Sequence, residues 1–116
     1  MSEAVKLKEI TPETCVVLGT DKQKGRTISV TPNNTASNFL HYGRIILDAD
    51  ETLSFENGTH ETGLICMKGS AKVSTHDRTF NMNQYDALYV PRDSKIEVKG
   101  ECDLSEISAE VENQYP

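Results

Sequence analysis

The side chains best able to do chemistry gather at one turn: Glu56, His60 and Glu61 flank the pair Asn57-Gly58. Carboxylates and an imidazole suit Zn, Mn or Fe, and the same groups move protons in acid–base catalysis. A solvated acidic loop, with His60 paired to a neighbouring carboxylate, uses the same residues and is the simpler reading. His41 opens the run HYGRIIL and is expected to line a pocket or stand at its rim. Arg44 lies mid-run between Gly43 and Ile45. Pointed inward, it is a fork that clamps a carboxylate; pointed outward, it is a solvated cation. Tyr89, two residues before Pro91, caps a sugar face or simply packs, and Tyr42 is a weaker case of the same kind. His76 reads as a hairpin tip, Asp86 as a turn acceptor, and Cys66 as a core thiol made inert by burial. No Ser-His-Asp or Cys-His order stands out, so catalytic residues stay unassigned. The seven glycines are dispersed and form no phosphate loop.

The elements that must position these groups follow a period of two. Thr27–Val30, His41–Leu47, Thr52–Phe55, Ala71–Thr75, Arg78–Met82, Asp86–Val90, Lys95–Lys99 and Leu104–Val111 read as short strands, with Val16 and Leu18 a further one. Leu64-Ile65-Cys66-Met67 is a continuous apolar run, expected to be a strand buried on both faces. Thr31-Pro32-Asn33-Asn34, Asp48–Glu51, Asn57-Gly58, Lys68-Gly69 and His76-Asp77 are turn signals. Helix content should be near nil. Nine or ten strands at such spacing, without any Trp, suit a double-sheet jelly roll better than an immunoglobulin-type sandwich. Its working surface is then the mouth or interior.

The chain has 116 residues, enough for one domain. It reads as a single domain over 1–116, with an arm at 1–12 and a polar tail at 112–116. Asp and Glu number 18 against 12 Lys and Arg, a net charge of −6. That balance repels phosphate backbones and anionic membrane surfaces, and Lys22-Gln23-Lys24-Gly25-Arg26 reads as a solvated turn. No apolar window is long enough to span a bilayer, and the first residues lack the pattern of a signal peptide. Cys15, Cys66 and Cys102 are an odd count without a C-x-x-C pair. Each reads as a buried or half-buried thiol in a reducing cytoplasm.

Glu61–Val73 (ETGLICMKGSAKV), followed by Asp86–Pro91 (DALYVP), resembles a cupin. Thr27–Pro32, Glu51–Gly58, Glu61 and Gly69–Val73 follow in an order similar to the N-terminal half of the 5-deoxyglucuronate isomerases of inositol catabolism. Asp86–Pro91 also resembles the related 5-keto-4-deoxyuronate isomerases. The likeness spans residues 25–112. It implies an all-β fold, a single cupin-type double-stranded β-helix (jelly-roll barrel). It also implies aldose–ketose isomerisation of uronate-type sugars as the family's activity, at a metal held by the C-terminal cupin. This chain resembles the other half.

The general cupin metal motif can be laid on the sequence from Gly69 and Pro91. The Glu position then falls on Thr62, and the two His positions on Glu56 or Phe55 and on Gly58 or Asn57. The glycines of the second motif fall on Tyr85 and Asp93, its His on Ile96 and its Asn on Gly100. None of the four ligand types is present, so no metal or other cofactor is expected. The expectation is a stand-alone cupin that binds a small acidic sugar or related metabolite, or serves as an accessory module. Arg44, His60, Glu61, Tyr89 and His41 are the residues expected at the ligand. The alternative is a deoxyuronate-type aldose–ketose isomerase, using Glu61 and His60 with a second chain. A homodimer is expected, because a lone cupin half exposes the surface that family members pack on a second cupin. A polar interior with Arg44, His60 and Glu61 converging would favour chemistry; an aliphatic one would favour a scaffold.

Overall fold

Alternating apolar and polar residues, cut by turn formers, become nine strands in a computed structural model that describes residues 9–112. They are β1 (Gly25–Val30), β2 (Leu40–Leu47), β3 (Thr52–Glu56), β4 (His60–Gly69), β5 (Ala71–Thr75), β6 (Arg78–Met82), β7 (Ala87–Val90), β8 (Lys95–Lys99) and β9 (Cys102–Glu110). All pairings are antiparallel and build two sheets, ordered β1-β2-β9-β4-β7 and β3-β8-β5-β6. This is the jelly-roll architecture expected from strand count and spacing. Among the described residues no helix is long and apolar enough to cross a membrane.

The core lies between the inner faces. Ile45, Leu64, Cys66, Val90 and Leu104 project from the five-stranded sheet, and Val73, Ile96 and Val98 from the four-stranded one, all fully buried. Leu53, Phe55 and Leu88 pack against them. Each such aliphatic contributes roughly 1.5–3 kcal/mol of transfer free energy when buried. Register sets which side chains share a level. Ile45, Leu104 and Cys66 form one rung across β2, β9 and β4; Gly43, Glu106 and Leu64 the next; His41, Ser108 and Thr62 the third. The inner face therefore turns from aliphatic to polar toward one end of the barrel.

Two glycines are needed where strands crowd. A Cβ on Gly43 would lie 2.3 Å from the Thr27 carbonyl oxygen and 2.8 Å from Ile28 Cδ1, so only glycine lets β1 sit this close. Gly69 has φ 73, and a Cβ there would lie 2.3 Å from the Glu101 carbonyl oxygen. At the β5–β6 tip, His76 and Asp77 both take left-handed backbone, φ 52 and 61, as a two-residue hairpin of this hand demands.

Several expectations are corrected. Val16 and Leu18 form no strand and are largely exposed. A single helical turn, α1 (Pro12–Cys15), stands just before them. Pro12 occupies its start, and Thr11 and Thr14 cap one another through side chain and backbone. The following segment is held to the sheet by side chains, not by a strand ladder: Thr20 accepts a hydrogen bond from Arg44. The run Leu64–Met67 is not buried on both faces. Leu64 and Cys66 face the core, while Ile65 is half-buried and Met67 exposed on the outer side. Cys15 is exposed, unlike Cys66 and Cys102. Residues 1–8 and 113–116, most of the expected arm and tail, lie outside the described residues.

Candidate functional site

At the polar end of the barrel, β1, β2, β4 and β9, with the end of β3, line a half-open cavity of about 150 Å³. Its anchor is Glu106. On β9 it stands in phase with Leu104 and Ser108, so its carboxylate enters the interior and is 1% exposed. A lone buried carboxylate would be costly. Arg26 answers it. Arg26 pairs with Ile45 across β1 and β2, which starts its side chain on the inner face. Its Nε donates to Glu106 Oε1 and its Nη2 to Oε2, both at 2.8 Å. The guanidinium also stacks over Phe55, with Cζ 4.0 Å from the ring centre.

Two imidazoles share the cavity with this pair. The rings of His41 and His60 meet edge to face, with centroids 4.5 Å apart. His60 Nδ1 lies 3.2 Å from the Ser108 hydroxyl. Burial pushes the His60 pKa down, and the neighbouring His41 adds to this; Glu110 and Glu106 pull the other way. His60 is thus held toward its neutral form. His41 Nδ1 is buried and has no hydrogen-bond partner. Glu56 stands exposed at the rim. Asn57 braces the floor: its Nδ2 donates to the Pro91 carbonyl at 2.7 Å, and its Oδ1 accepts from Ser94 N at 2.9 Å. The β3–β4 turn is thereby tied to the β7–β8 turn.

The structure brings two of the five sequence-derived ligand residues to this cavity, His41 and His60. Arg44, Glu61 and Tyr89 are on the outer face of the same sheet. Successive strand residues point to opposite sides, so Glu61 cannot accompany His60, and the Glu56–His60–Glu61 group is split. Arg44 Nε donates to Asp103 Oδ1 at 2.8 Å and its Nη2 to Oδ2, which raises the arginine pKa further. The Tyr89 hydroxyl donates to Glu61 at 2.9 Å. His76 sits at its hairpin tip, as expected, and its Nε2 lies 2.6 Å from the Ser94 hydroxyl.

Arg26, Glu106 and Ser108 were not anticipated. Arg26 read as part of a solvated turn, yet it is in phase with inward Ile28, and Glu106 is in phase with Leu104. A charged residue in step with core aliphatics was the available signal.

A second feature lies on the outer face. Leu40, Tyr89 and Ile107 are exposed around a shallow groove of about 310 Å³. Gly63 forms its floor, and a Cβ there would meet only the Ile107 carbonyl oxygen, at 3.9 Å.

A cupin metal does not fit these residues. At the sequence-aligned ligand positions stand Thr62, which is buried, and Ile96, which is fully enclosed in the aliphatic core. The cavity offers two imidazoles, but the Glu106 carboxylate is engaged on both oxygens by Arg26. Among the described residues, no three His, Cys, Asp or Glu side chains gather to hold an ion.

Two antiparallel sheets in this strand order, with a polar cavity at one end, define a cupin-type double-stranded β-helix. The chain belongs to the KduI/IolB family, whose model matches residues 14–116. An IolB-like protein from Salmonella typhimurium superposes with a TM-score of 0.70 at 18% identity, over 82% of this chain and 41% of that one. This chain thus spans about two fifths of the length of that protein. KdgF from Halomonas superposes at 0.60 with 11% identity, over 76% of this chain and 79% of that one. An RmlC-like cupin from Methanocaldococcus jannaschii superposes at 0.62 with 17% identity, over 77% and 84%. No curated protein matches the sequence.

Proposed function

We propose that this chain is a metal-independent cupin of sugar metabolism that holds a small sugar-derived metabolite in the barrel cavity. The observation that carries this reading is the polar end of the interior. A purely structural barrel would fill it with aliphatics, because burying the Glu106 carboxylate and an unpartnered imidazole nitrogen costs stability. The acidic-sugar part of the expectation loses its clamp, since Arg44 faces away and is paired with Asp103. Elemental analysis of protein purified without a metal-affinity tag, combined with calorimetric titration by sugars in a chelator, tests the reading. Sugar binding at less than stoichiometric metal is expected. One equivalent of Mn, Fe, Ni or Zn per chain, lost together with binding on chelation, would overturn it. Interconversion of an aldo- and a ketouronate, followed by NMR, would instead establish the isomerase alternative.

A second reading is favoured by the outer groove. Leu40, Tyr89 and Ile107 form an apolar patch of the kind that another subunit covers. On this reading the chain also pairs with a second copy of itself, or serves as an accessory subunit.

A further inference from the structure

We infer that the barrel cavity takes a neutral, hydroxyl-rich ligand end, a polyol or sugar terminus, and that His41 and Ser108 read its hydroxyls. This rests on the reading of the chain as a sugar-binding cupin and narrows it. The charges facing the cavity already cancel. Both oxygens of the buried Glu106 carboxylate accept from the part-exposed Arg26, so among the described residues this pair lining the cavity neutralises itself. The remaining charged neighbours are carboxylates, Glu56 at the rim and Glu110 beside His60. A carboxylate ligand would face these groups without a free cation. Arg26 Nη1 can still donate, but it belongs to a guanidinium whose charge Glu106 already offsets, and turning that guanidinium fully to a ligand would strand the buried Glu106 carboxylate.

The polar atoms left over fit hydroxyls. His41 Nδ1 is buried and unpartnered, and in its two tautomers it needs either a donor or an acceptor. A hydroxyl supplies both from one atom, as does the hydroxyl of Ser108 beside His60 Nδ1. Size agrees. The cavity of about 150 Å³ holds the volume of about five waters, enough for a short run of hydroxyl-bearing carbons, with the rest of a ligand at the mouth.

The test uses matched pairs that differ only in oxidation of one end: erythritol and erythronate, xylitol and xylonate, D-glucose and D-glucuronate. Each is titrated into the full chain while imidazole and backbone NMR signals are followed. The neutral members are expected to shift the His41 and His60 ring signals, and the carboxylates to leave them in place. His41→Phe, which keeps a ring without its nitrogens, should abolish the response, as should the milder Ser108→Ala. Carboxylates that move the ring signals more strongly than their neutral partners would overturn the ligand class and leave the sugar-binding reading standing. Sugars that bind without moving either ring, and equally well in both variants, would overturn the site. No response to any probe would remove both.

Discussion

At the scale of single residues, environment separates side chains that the sequence presents as alike. The ordinary histidine value is 6.5, and burial beside His41 holds His60 below it in the folded protein. Between those two values the unfolded chain takes the proton and the folded one does not. Acid therefore favours unfolding. Stability should be full above 6.5 and fall as pH drops through that value, levelling off once the folded-state value is passed. The groups facing His60 are His41, Glu110, Glu106 and Arg26, and none is removed by His60→Gln. Thermal unfolding of the two proteins between about pH 7.5 and pH 5 checks this, with a shallower slope expected for the variant. Thiols separate in the same way. Burial raises the Cys66 pKa, and it pushes Cys102 up to about 11, while Cys15 is exposed. An aromatic disulfide near pH 8 should label one thiol per chain promptly, and the other two only on unfolding. Prompt labelling of all three would contradict the buried positions of Cys66 and Cys102.

At the scale of elements, β1 and β9 carry the least expected feature, an ion pair that reaches over β2 on the inner side of the five-stranded sheet. Arg26→Ala leaves the Glu106 carboxylate without its partner, and should cost about 1.5–3 kcal/mol in urea unfolding, since the part-exposed arginine gives way to water. Arg26→Met combined with Glu106→Leu removes both charges and keeps the volume, so stability should recover to near the parent or above it. If the double variant is as unstable as the single one, the pair is not what holds this end together. The strands themselves were legible in the sequence. Period-two alternation and the turn pairs Asn57-Gly58, Lys68-Gly69 and His76-Asp77 placed most of them, and the family resemblance placed their order. The site was only half legible. His41 and His60 were singled out by type, whereas Arg44 and Glu61 were chosen by type and closeness in sequence. Closeness misleads in a strand, because neighbours leave on opposite faces. Arg26 was hidden by its basic neighbours, although its phase with Ile28 already turned it inward. Val16 and Leu18 looked like strand residues because β-propensity measures fit to a half-buried sheet, and here no sheet edge receives them.

At the scale of the whole molecule, the cavity and the apolar groove lie back to back on one sheet. The inner face of β2, β4 and β9 lines the cavity, and the outer face of the same strands bears the apolar groove. That face lacks free charge at its centre. Arg44 is paired with Asp103, and Glu61 accepts from Tyr89. Gly63 leaves room for a side chain above it, and on the proposed reading a second copy supplies an apolar one. A two-fold pairing of this face with itself meets the same need on both chains at once. Each chain carries a net charge of −6, so the pairing works against mutual repulsion that salt screens. Two consequences follow for sedimentation at micromolar concentration. The parent should run as a dimer that tightens as salt is raised, the opposite of an assembly held by ion pairs. Ile107→Lys puts a charge into the centre of the contact and should weaken it by about thirtyfold or more, the scale of a central interface residue. A variant on the opposite sheet, Ser74→Lys, serves as the control, because its outward side chain on β5 is remote from the groove. A monomeric parent at every salt concentration would leave the groove without a second copy and shift the accessory reading to a different protein as partner. A dimer indifferent to Ile107→Lys but broken by Ser74→Lys would place the contact on the four-stranded sheet instead.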